Sequence, residues 1–199
     1  MGKWIGDRIS TEDSEKSTSI IIFPKIERWK EWLLTVWVMG FTFVGAVMIY
    51  LLFGGVYSLE VVSDNVEDTR DQQLVYTIVF LGFWFYFEYK TVKALLWYKF
   101  GKELVKIDTE ALSIKKSTFG YGKANRYFFE NIKNFHHNKP DDTSFGQFFE
   151  SAYWSLGIDS LVFEYFGKSK SFGRRLDEKN SRLLMRFIDD RIKNLHKKK

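Results

Sequence analysis

The longest apolar segment of the chain runs from residue 32 to residue 59, WLLTVWVMGFTFVGAVMIYLLFGGVYSL, and contains no charged side chain. An α-helix rises 1.5 Å per residue, so about 20 apolar residues cross the ~30 Å hydrocarbon core of a bilayer. The segment is longer than a buried helix of a small soluble domain needs. It therefore predicts a membrane-spanning helix over about residues 32–57.

A second apolar segment, LVYTIVFLGFWFYF at 74–87, is followed by Glu88 and then by lysines. Alone it is short for a span. Lys90 and Lys93 can reach back to the lipid headgroups, which extends the segment to about 72–95. A single span with a buried second segment is the alternative, but the short chain has little room for the soluble core that it requires. We therefore expect a transmembrane helical hairpin.

Charge predicts the orientation of this hairpin, which we place at residues 31–98 after an N-terminal arm at 1–30. The external loop at 60–73 is acidic, with one Arg against five Asp or Glu. Basic residues lie on both outer flanks: Lys25, Arg28 and Lys30 before the first span, and Lys90, Lys93, Lys99, Lys102 and Lys106 at and after the end of the second. Because basic residues favour the cytoplasmic side, we expect a multi-pass protein of the cytoplasmic membrane with both termini inside.

Glu88 is the polar residue of the second span, about 21 Å along the helix from Leu74. An unpaired acid in lipid is costly, so such a residue indicates a function or a partner. Two interpretations stay open: an interfacial acid that is solvated or paired, and an interhelical contact or part of a pore. Trp97 and Tyr98, a little further along, are predicted to belong to the aromatic belt at the membrane surface.

The chain from residue 99 to 199 has short strand-like segments. LVKI and ALSI flank the turn-like DTE at 108–110, RYFFENIKNFHHN follows, and DSLVFEYF and FGKSKSF predict a hairpin with Gly167 at its turn. An amphipathic helix is predicted over about 177–196, capped by Asp177. Its apolar stripe consists of Leu184, Ile188, Ile192 and Leu195, with Leu183 and Phe187 beside them.

The fragments IDTEALSIKKS, RYFFENIKNF and LVFEYFGKSKSFGRRLDEKNSRLLMRFIDDRI resemble bacterial membrane proteins with a pleckstrin-homology-like (PH-like) domain. The two-span photosystem assembly proteins share this architecture. The resemblance implies a cytoplasmic α+β domain at 99–199, a small antiparallel barrel or bent sheet closed by the C-terminal helix. It also implies binding and scaffolding, without a catalytic motif.

Composition limits the chemistry that we expect. The chain has no cysteine, so disulfides, thiolate nucleophiles and cysteine-ligated zinc are excluded. His136 and His137 are adjacent, which places them on opposite faces of a strand, and neither has the i+4 partner of a metal motif. We therefore predict no catalytic residues, no metal and no cofactor, and we do not expect nucleic acid as a partner.

Two groups of side chains are the candidate binding residues. Basic residues flank two predicted hairpins and could meet anionic lipid or phosphate, or could reflect only solubility and the positive-inside bias. They are Lys115, Lys116, Lys123, Arg126, Lys168, Lys170, Arg174 and Arg175. Aromatic residues follow a polar loop and could form core or a partner-docking edge. They are Phe145, Phe148, Phe149, Tyr153 and Trp154.

These features predict a non-enzymatic membrane protein that docks a membrane-protein partner, a second copy of itself or the lipid surface, as an accessory, assembly or scaffold factor. The alternative is a two-span effector of a bacterial antiphage system, whose small β-barrel binds a cyclic nucleotide before the protein oligomerises and breaches the membrane. Four glycines, Gly40, Gly45, Gly54 and Gly55, would allow the close helix packing that such an oligomer needs.

Overall fold

The computed structural model describes residues 3–53, 66–138 and 152–197. The chain divides into two compact units. One is Glu27–Leu95, which we call the helical unit, and the other joins Met1–Ile26 to Leu96–Lys199, which we call the β unit. Across the described ranges there are three α-helices and nine β-strands.

The helical unit contains helix α1 (Arg28–Phe53) and most of helix α2 (Val66–Phe100). Over Arg28–Leu52, α1 has a mean hydropathy of 2.0, and only 17% of the apolar window is buried. Among the described residues α1 is the one helix that is long and apolar enough to cross a membrane. Helix α2 has 35 residues, but charged side chains near both of its ends make it more polar.

The β unit contains two antiparallel sheets. The first is a six-stranded meander: β1 (Lys3–Ile5), β2 (Ile9–Asp13), β3 (Thr18–Ile22), β4 (Gly101–Ile107), β5 (Ala111–Thr118) and β6 (Ala124–Phe128). The second contains β7 (Ile132–His137), β8 (Asp159–Tyr165) and β9 (Lys168–Arg174). Among the described strands the sheets do not close into a barrel, so of the two predicted forms, a barrel or a bent sheet, the barrel is wrong. The predicted antiparallel sheet with a C-terminal helix is present. A 3-10 turn at Phe129–Asn131 ends the first sheet, and the chain then continues into the second.

The N-terminal segment, predicted as a separate arm, contributes three strands to the first sheet. Strand β3 pairs with β4, with Ile22 opposite Glu103 and Thr18 opposite Ile107. Ile20 and Ile22 are buried in the core, because alternate residues of a strand share one face. Both helices of the helical unit are therefore inserted, in sequence, between two neighbouring strands.

Helix α3 (Glu178–Lys197) covers the core of the β unit with its apolar stripe. Leu184 and Ile188 are buried there with Phe163 and Phe172 from the second sheet. At its start, the backbone carbonyl of Asp177 accepts the first helical hydrogen bond, from Ser181, at 2.9 Å. The amphipathic pattern of the sequence thus predicted both the position of this helix and the face that it buries.

Candidate functional site

Four charged side chains meet where the two sheets of the β unit approach each other, and we call them the charge junction. Glu103 on β4 and Lys116 on β5 come from the first sheet, and Asp159 on β8 and Arg174 on β9 come from the second. Lys116 Nζ forms an ion pair with Asp159 and lies 3.6 Å from Glu103 Oε1. Arg174 Nε lies 3.5 Å from Asp159 Oδ1. The junction therefore links both sheets through alternating charges.

Glu103 is the most deeply buried member of the junction, with 1% of its side chain exposed. Its Oε2 accepts hydrogen bonds from two backbone N–H groups of β9, those of Gly173 at 2.7 Å and Arg174 at 3.1 Å. Gly173 adopts a φ of 75°, a left-handed conformation that favours glycine. Glu103 thus supplies the acceptor that fastens the end of β9 to β4.

Burial and charge act differently on the two acids of the junction. Burial raises the pKa of Glu103 above its usual range, and the nearby ammonium of Lys116 only partly opposes this. Burial would also raise the pKa of Asp159, but Lys116, the hydroxyl of Ser171 and Arg174 together outweigh it and hold that pKa below its usual range. Asp159 therefore stays ionised as the central anion of the junction.

Two successive arginines at the end of β9 stack on two successive aromatic residues at the end of α2. The guanidinium of Arg174 lies 4.8 Å from the ring centre of Trp97, and that of Arg175 lies 5.6 Å from the ring centre of Tyr98. Trp97 and Tyr98 are buried in the β unit. Their predicted place in an aromatic belt is therefore not what the structure shows: both rings pack beneath cations.

Arg8, in the turn between β1 and β2, is a further buried cation next to Arg175. Its guanidinium donates to the carbonyl of Phe23 at 3.0 Å and to the carbonyl of Arg175. Arg175 in turn donates to the carbonyl of Ala152. Buried guanidinium groups of this kind join loops whose backbone carbonyls would otherwise lack a donor.

The structure does not gather the eight predicted basic residues into one patch. Lys116 and Arg174 belong to the charge junction, and Arg175 stacks on Tyr98. Lys115 donates a hydrogen bond to the carbonyl of Gly120 at 3.0 Å. Arg126 forms an ion pair with Asp108 at 3.1 Å. Lys123 and Lys168 are exposed, and Lys170 is half-buried. Lys168 lies six residues before Arg174 on β9, about 20 Å along the strand. Binding of lipid or phosphate by these residues stays a prediction.

The predicted aromatic docking segment is described only at its end. Phe145, Phe148 and Phe149 lie outside the described residues. Tyr153 and Trp154 contact each other edge to face, with ring centres 5.0 Å apart. Whether this segment docks a partner stays a prediction.

Glu88 makes an interhelical contact, one of the two interpretations of its sequence position. It accepts a hydrogen bond from the hydroxyl of Thr42 on α1. Nearby, the ring of Trp84 stacks on Phe41 at 5.1 Å and occupies the space that a Cβ at Gly45 would need. Among the described residues, the contacts between α1 and α2 therefore include ring stacking, a close approach at glycine and the Thr42–Glu88 hydrogen bond.

The two adjacent histidines bind neighbouring protein groups. His136 Nδ1 lies 2.6 Å from the carbonyl oxygen of Asn134, and His137 Nδ1 lies 3.1 Å from the hydroxyl of Ser181. No cluster of three metal-binding side chains occurs in the part of the chain that the structure describes.

Sequence reasoning missed Glu103, Asp159 and Arg8. A signal for Glu103 does exist in the chain. Glu103, Val105 and Ile107 alternate on β4 and so share one face, which places an acid in line with two core residues. An acid in such a position requires a buried partner, but the pattern does not say which one.

Comparison with protein-family models, with curated proteins and with solved structures finds no match to this chain.

Proposed function

We propose that this protein is a non-enzymatic membrane-anchored scaffold. Helices α1 and α2 cross the cytoplasmic membrane as a hairpin, and both termini lie in the cytoplasm. The β unit is a PH-like binding domain that docks a membrane-protein partner or the anionic lipid surface beneath the bilayer. In this role the protein recruits or assembles other components and carries out no reaction itself.

The exposed apolar surface of the helical unit is the observation that carries this proposal. Large aromatic side chains lie on the outside of both helices, among them Trp32, Trp37 and Phe43 on α1 and Tyr76 and Phe83 on α2. Soluble proteins rarely expose such a continuous apolar surface to water. Lipid can cover this apolar surface without the free-energy cost of exposing it to water, whereas a hairpin exposed to water would aggregate.

Three features of the chain support the proposed hairpin topology. Helix α1 is long and apolar enough to cross a membrane, and α2 is long enough to cross it in the opposite direction. The strand that precedes α1 and the strand that follows α2 are paired neighbours in one sheet. Both ends of the hairpin must therefore lead to the same side of the membrane. The basic flanks and the acidic loop favour the cytoplasm for that side.

The charge junction supports a binding domain rather than an enzyme. Its acids and bases neutralise one another and fasten the two sheets, so they have a structural role in this fold. A C-terminal helix over the core of antiparallel sheets also supports the PH-like relationship. Such a domain offers strand edges and turns for docking.

Single-cysteine labelling tests the anchor and its orientation, because the chain contains no cysteine of its own. We expect a membrane-impermeant maleimide to label Ser63→Cys, in the predicted external loop, in intact cells. It should label Ser169→Cys, at an exposed position of β9, only after lysis. Labelling of Ser169→Cys in intact cells, or recovery of the protein from the supernatant after alkaline extraction, would overturn the proposal.

A further inference from the structure

The turn between β5 and β6 presents aromatic side chains beside the last residue of α2. Phe119 is 54% exposed, Tyr121 is 82% exposed, and Phe100, where α2 ends, is 48% exposed. The rings of Phe100 and Phe119 are stacked, with centres 4.3 Å apart. We call Phe100, Phe119 and Tyr121 the aromatic tip.

The backbone holds the aromatic tip in place. Phe119 N–H donates to the carbonyl of Phe100 at 3.3 Å, and Thr118 and Tyr121 exchange two hydrogen bonds of 3.0 Å across the turn. Phe119 adopts a φ of 54°, which is unfavourable for a bulky side chain. Strained positions of this kind concentrate at functional sites, because the fold maintains them at a cost in stability.

Several lysines lie near the tip in sequence, while Lys116 and Arg126 of the same segment pair with Asp159 and Asp108. The segment KKSTFGYGKANR at 115–126 contains four basic residues and no acid. Lys99 and Lys102 flank Phe100, and the ammonium of Lys115 is held at the turn by the carbonyl of Gly120. A partner that covers this surface must therefore combine negative charge with a region that accepts aromatic rings.

We infer that the aromatic tip inserts into the headgroup layer of an anionic leaflet, an inference that rests on the proposed membrane anchor. Phe100 lies five residues beyond the predicted end of the second span, about 7 Å further along the helix. The headgroup layer extends about 5–8 Å beyond the hydrocarbon on each side. Aromatic residues prefer this layer, and lysines beside an anionic surface strengthen the contact.

The chain offers a matched control at the turn between β8 and β9. Phe166 is 70% exposed, has a φ of 50°, and is followed by Lys168 and Lys170. This turn lies at the end of β9 opposite Arg174, which stacks on Trp97 of α2. It therefore also presents an exposed ring beside lysines, but about 20 Å along the strand from the end of α2.

The experiment places an environment-sensitive fluorophore on Tyr121→Cys or Phe166→Cys in the full-length protein. Each variant is reconstituted in nanodiscs of phosphatidylcholine, with or without phosphatidylglycerol, that contain spin-labelled quencher lipids. We expect a blue shift and strong quenching at residue 121 in the anionic nanodiscs, and weaker quenching in phosphatidylcholine alone. Residue 166 should stay unquenched in both. Lys123→Glu, at an exposed position, should reduce the quenching at residue 121.

Three outcomes would overturn the inference. Equal quenching at both positions would mean that the tip has no special access to lipid. Equal quenching at residue 121 in both lipids would remove the role of the anionic headgroup. A blue shift without quenching would mean that protein, such as a second copy of the chain, covers the tip. Each of these leaves the maleimide test of the anchor unaffected, so a failure of the inference is distinct from a failure of the proposed function.

Discussion

Aromatic side chains lie on the outside of the helical unit but form the centre of the β unit. Phe43 on α1 is 69% exposed, whereas Phe163 and Phe172 in the second sheet are completely buried. The polar groups are distributed the other way: Thr42 and Glu88 meet between the helices, while most charged residues of the β unit lie at its surface. The same residue types therefore occupy opposite positions in the two units, as the proposed membrane anchor requires.

Glu88 of the helical unit is half-buried and Glu103 of the β unit is fully buried, and the two have different partners. Glu88 accepts a hydrogen bond from a neutral hydroxyl, whereas Glu103 faces a lysine and two backbone N–H groups. An acid between two helices needs only one contact to join them. Glu103 connects β4 to β9, two strands of different sheets that are not paired with each other, so more of the fold depends on it.

Truncation of an aromatic residue should give the largest contrast between the units. We expect Phe163→Ala to lower the free energy of unfolding by about 3–5 kcal/mol, because it leaves a cavity in a packed core. Phe43→Ala should cost less than about 1 kcal/mol, since lipid fills the space of a lipid-facing side chain. Denaturant unfolding of the detergent-solubilised protein, followed by circular dichroism, measures both. Equal losses would contradict the lipid-facing position of Phe43.

Removal of the glutamate that joins the sheets should have the next largest effect. We expect Glu103→Ala to cost about 3 kcal/mol, because the N–H groups of Gly173 and Arg174 lose their acceptor. Glu103→Gln keeps an acceptor oxygen and should cost less. Glu110→Ala, at an exposed surface pair with Arg126, is the control and should cost less than about 1 kcal/mol. A Glu103→Ala protein as stable as the control would show that the junction does not fasten the sheets.

The dependence of stability on pH should report the same glutamate. Because the pKa of Glu103 is raised on folding, the folded state keeps this proton to higher pH than the unfolded state does. Its contribution therefore declines as the pH rises from the unfolded pKa through the folded one. The lowered pKa of Asp159 acts in the opposite sense, and its contribution is lost as the pH falls through its folded value.

We accordingly expect the melting temperature of the native protein to fall as the pH rises above the pKa of an unfolded glutamate, and to fall less in Glu103→Gln. The native protein and Glu103→Gln should lose the same amount of stability at low pH, where Asp159 becomes protonated. Calorimetry across this range measures the two slopes. An identical decline on the alkaline side in both proteins would exclude Glu103 as its cause.

The polar contact of the helical unit should give the smallest effect. We expect Thr42→Val to destabilise the hairpin by about 1 kcal/mol, the scale of an interhelical hydrogen bond in a membrane protein. Thr35→Val is the control, because the Thr35 hydroxyl bonds only to the carbonyl of Glu31 within its own helix. Unfolding by sodium dodecyl sulfate measures the difference. If Thr42→Val and Thr35→Val behave alike, the bond to Glu88 contributes nothing to helix association.

Most of the correct predictions of helices and strands came from the local periodicity of apolar residues. The uncharged run at 32–59 covers most of α1, the alternation around 104–114 lies on β4 and β5, and the stripe with Leu184 and Ile188 lies on the inner face of α3. Gly167 occupies the predicted turn between β8 and β9 with a φ of 72°. Each of these features depends on residues a few positions apart, so a sequence pattern can indicate it.

The charge junction could not be predicted in this way. From the sequence, Lys116 and Arg174 are candidates for ligand binding or for a merely solubilising role, because both are basic and lie near hairpins. Their partners, Glu103 and Asp159, are distant in sequence, and burial rather than residue type decides that they pair. A pattern of charges along a chain does not distinguish an ion pair inside the fold from a free cation on its surface.

By itself the sequence determined where the apolar segments lie and which face of the last helix is buried. These properties follow from the local order of polar and apolar residues. Only the tertiary structure decided that β3 pairs with β4 across the helical unit, that the sheets stay open, and that Trp97 and Tyr98 lie beneath arginines. Such contacts form between residues far apart in the chain, where the free energy of packing and pairing selects one partner among many of similar chemistry.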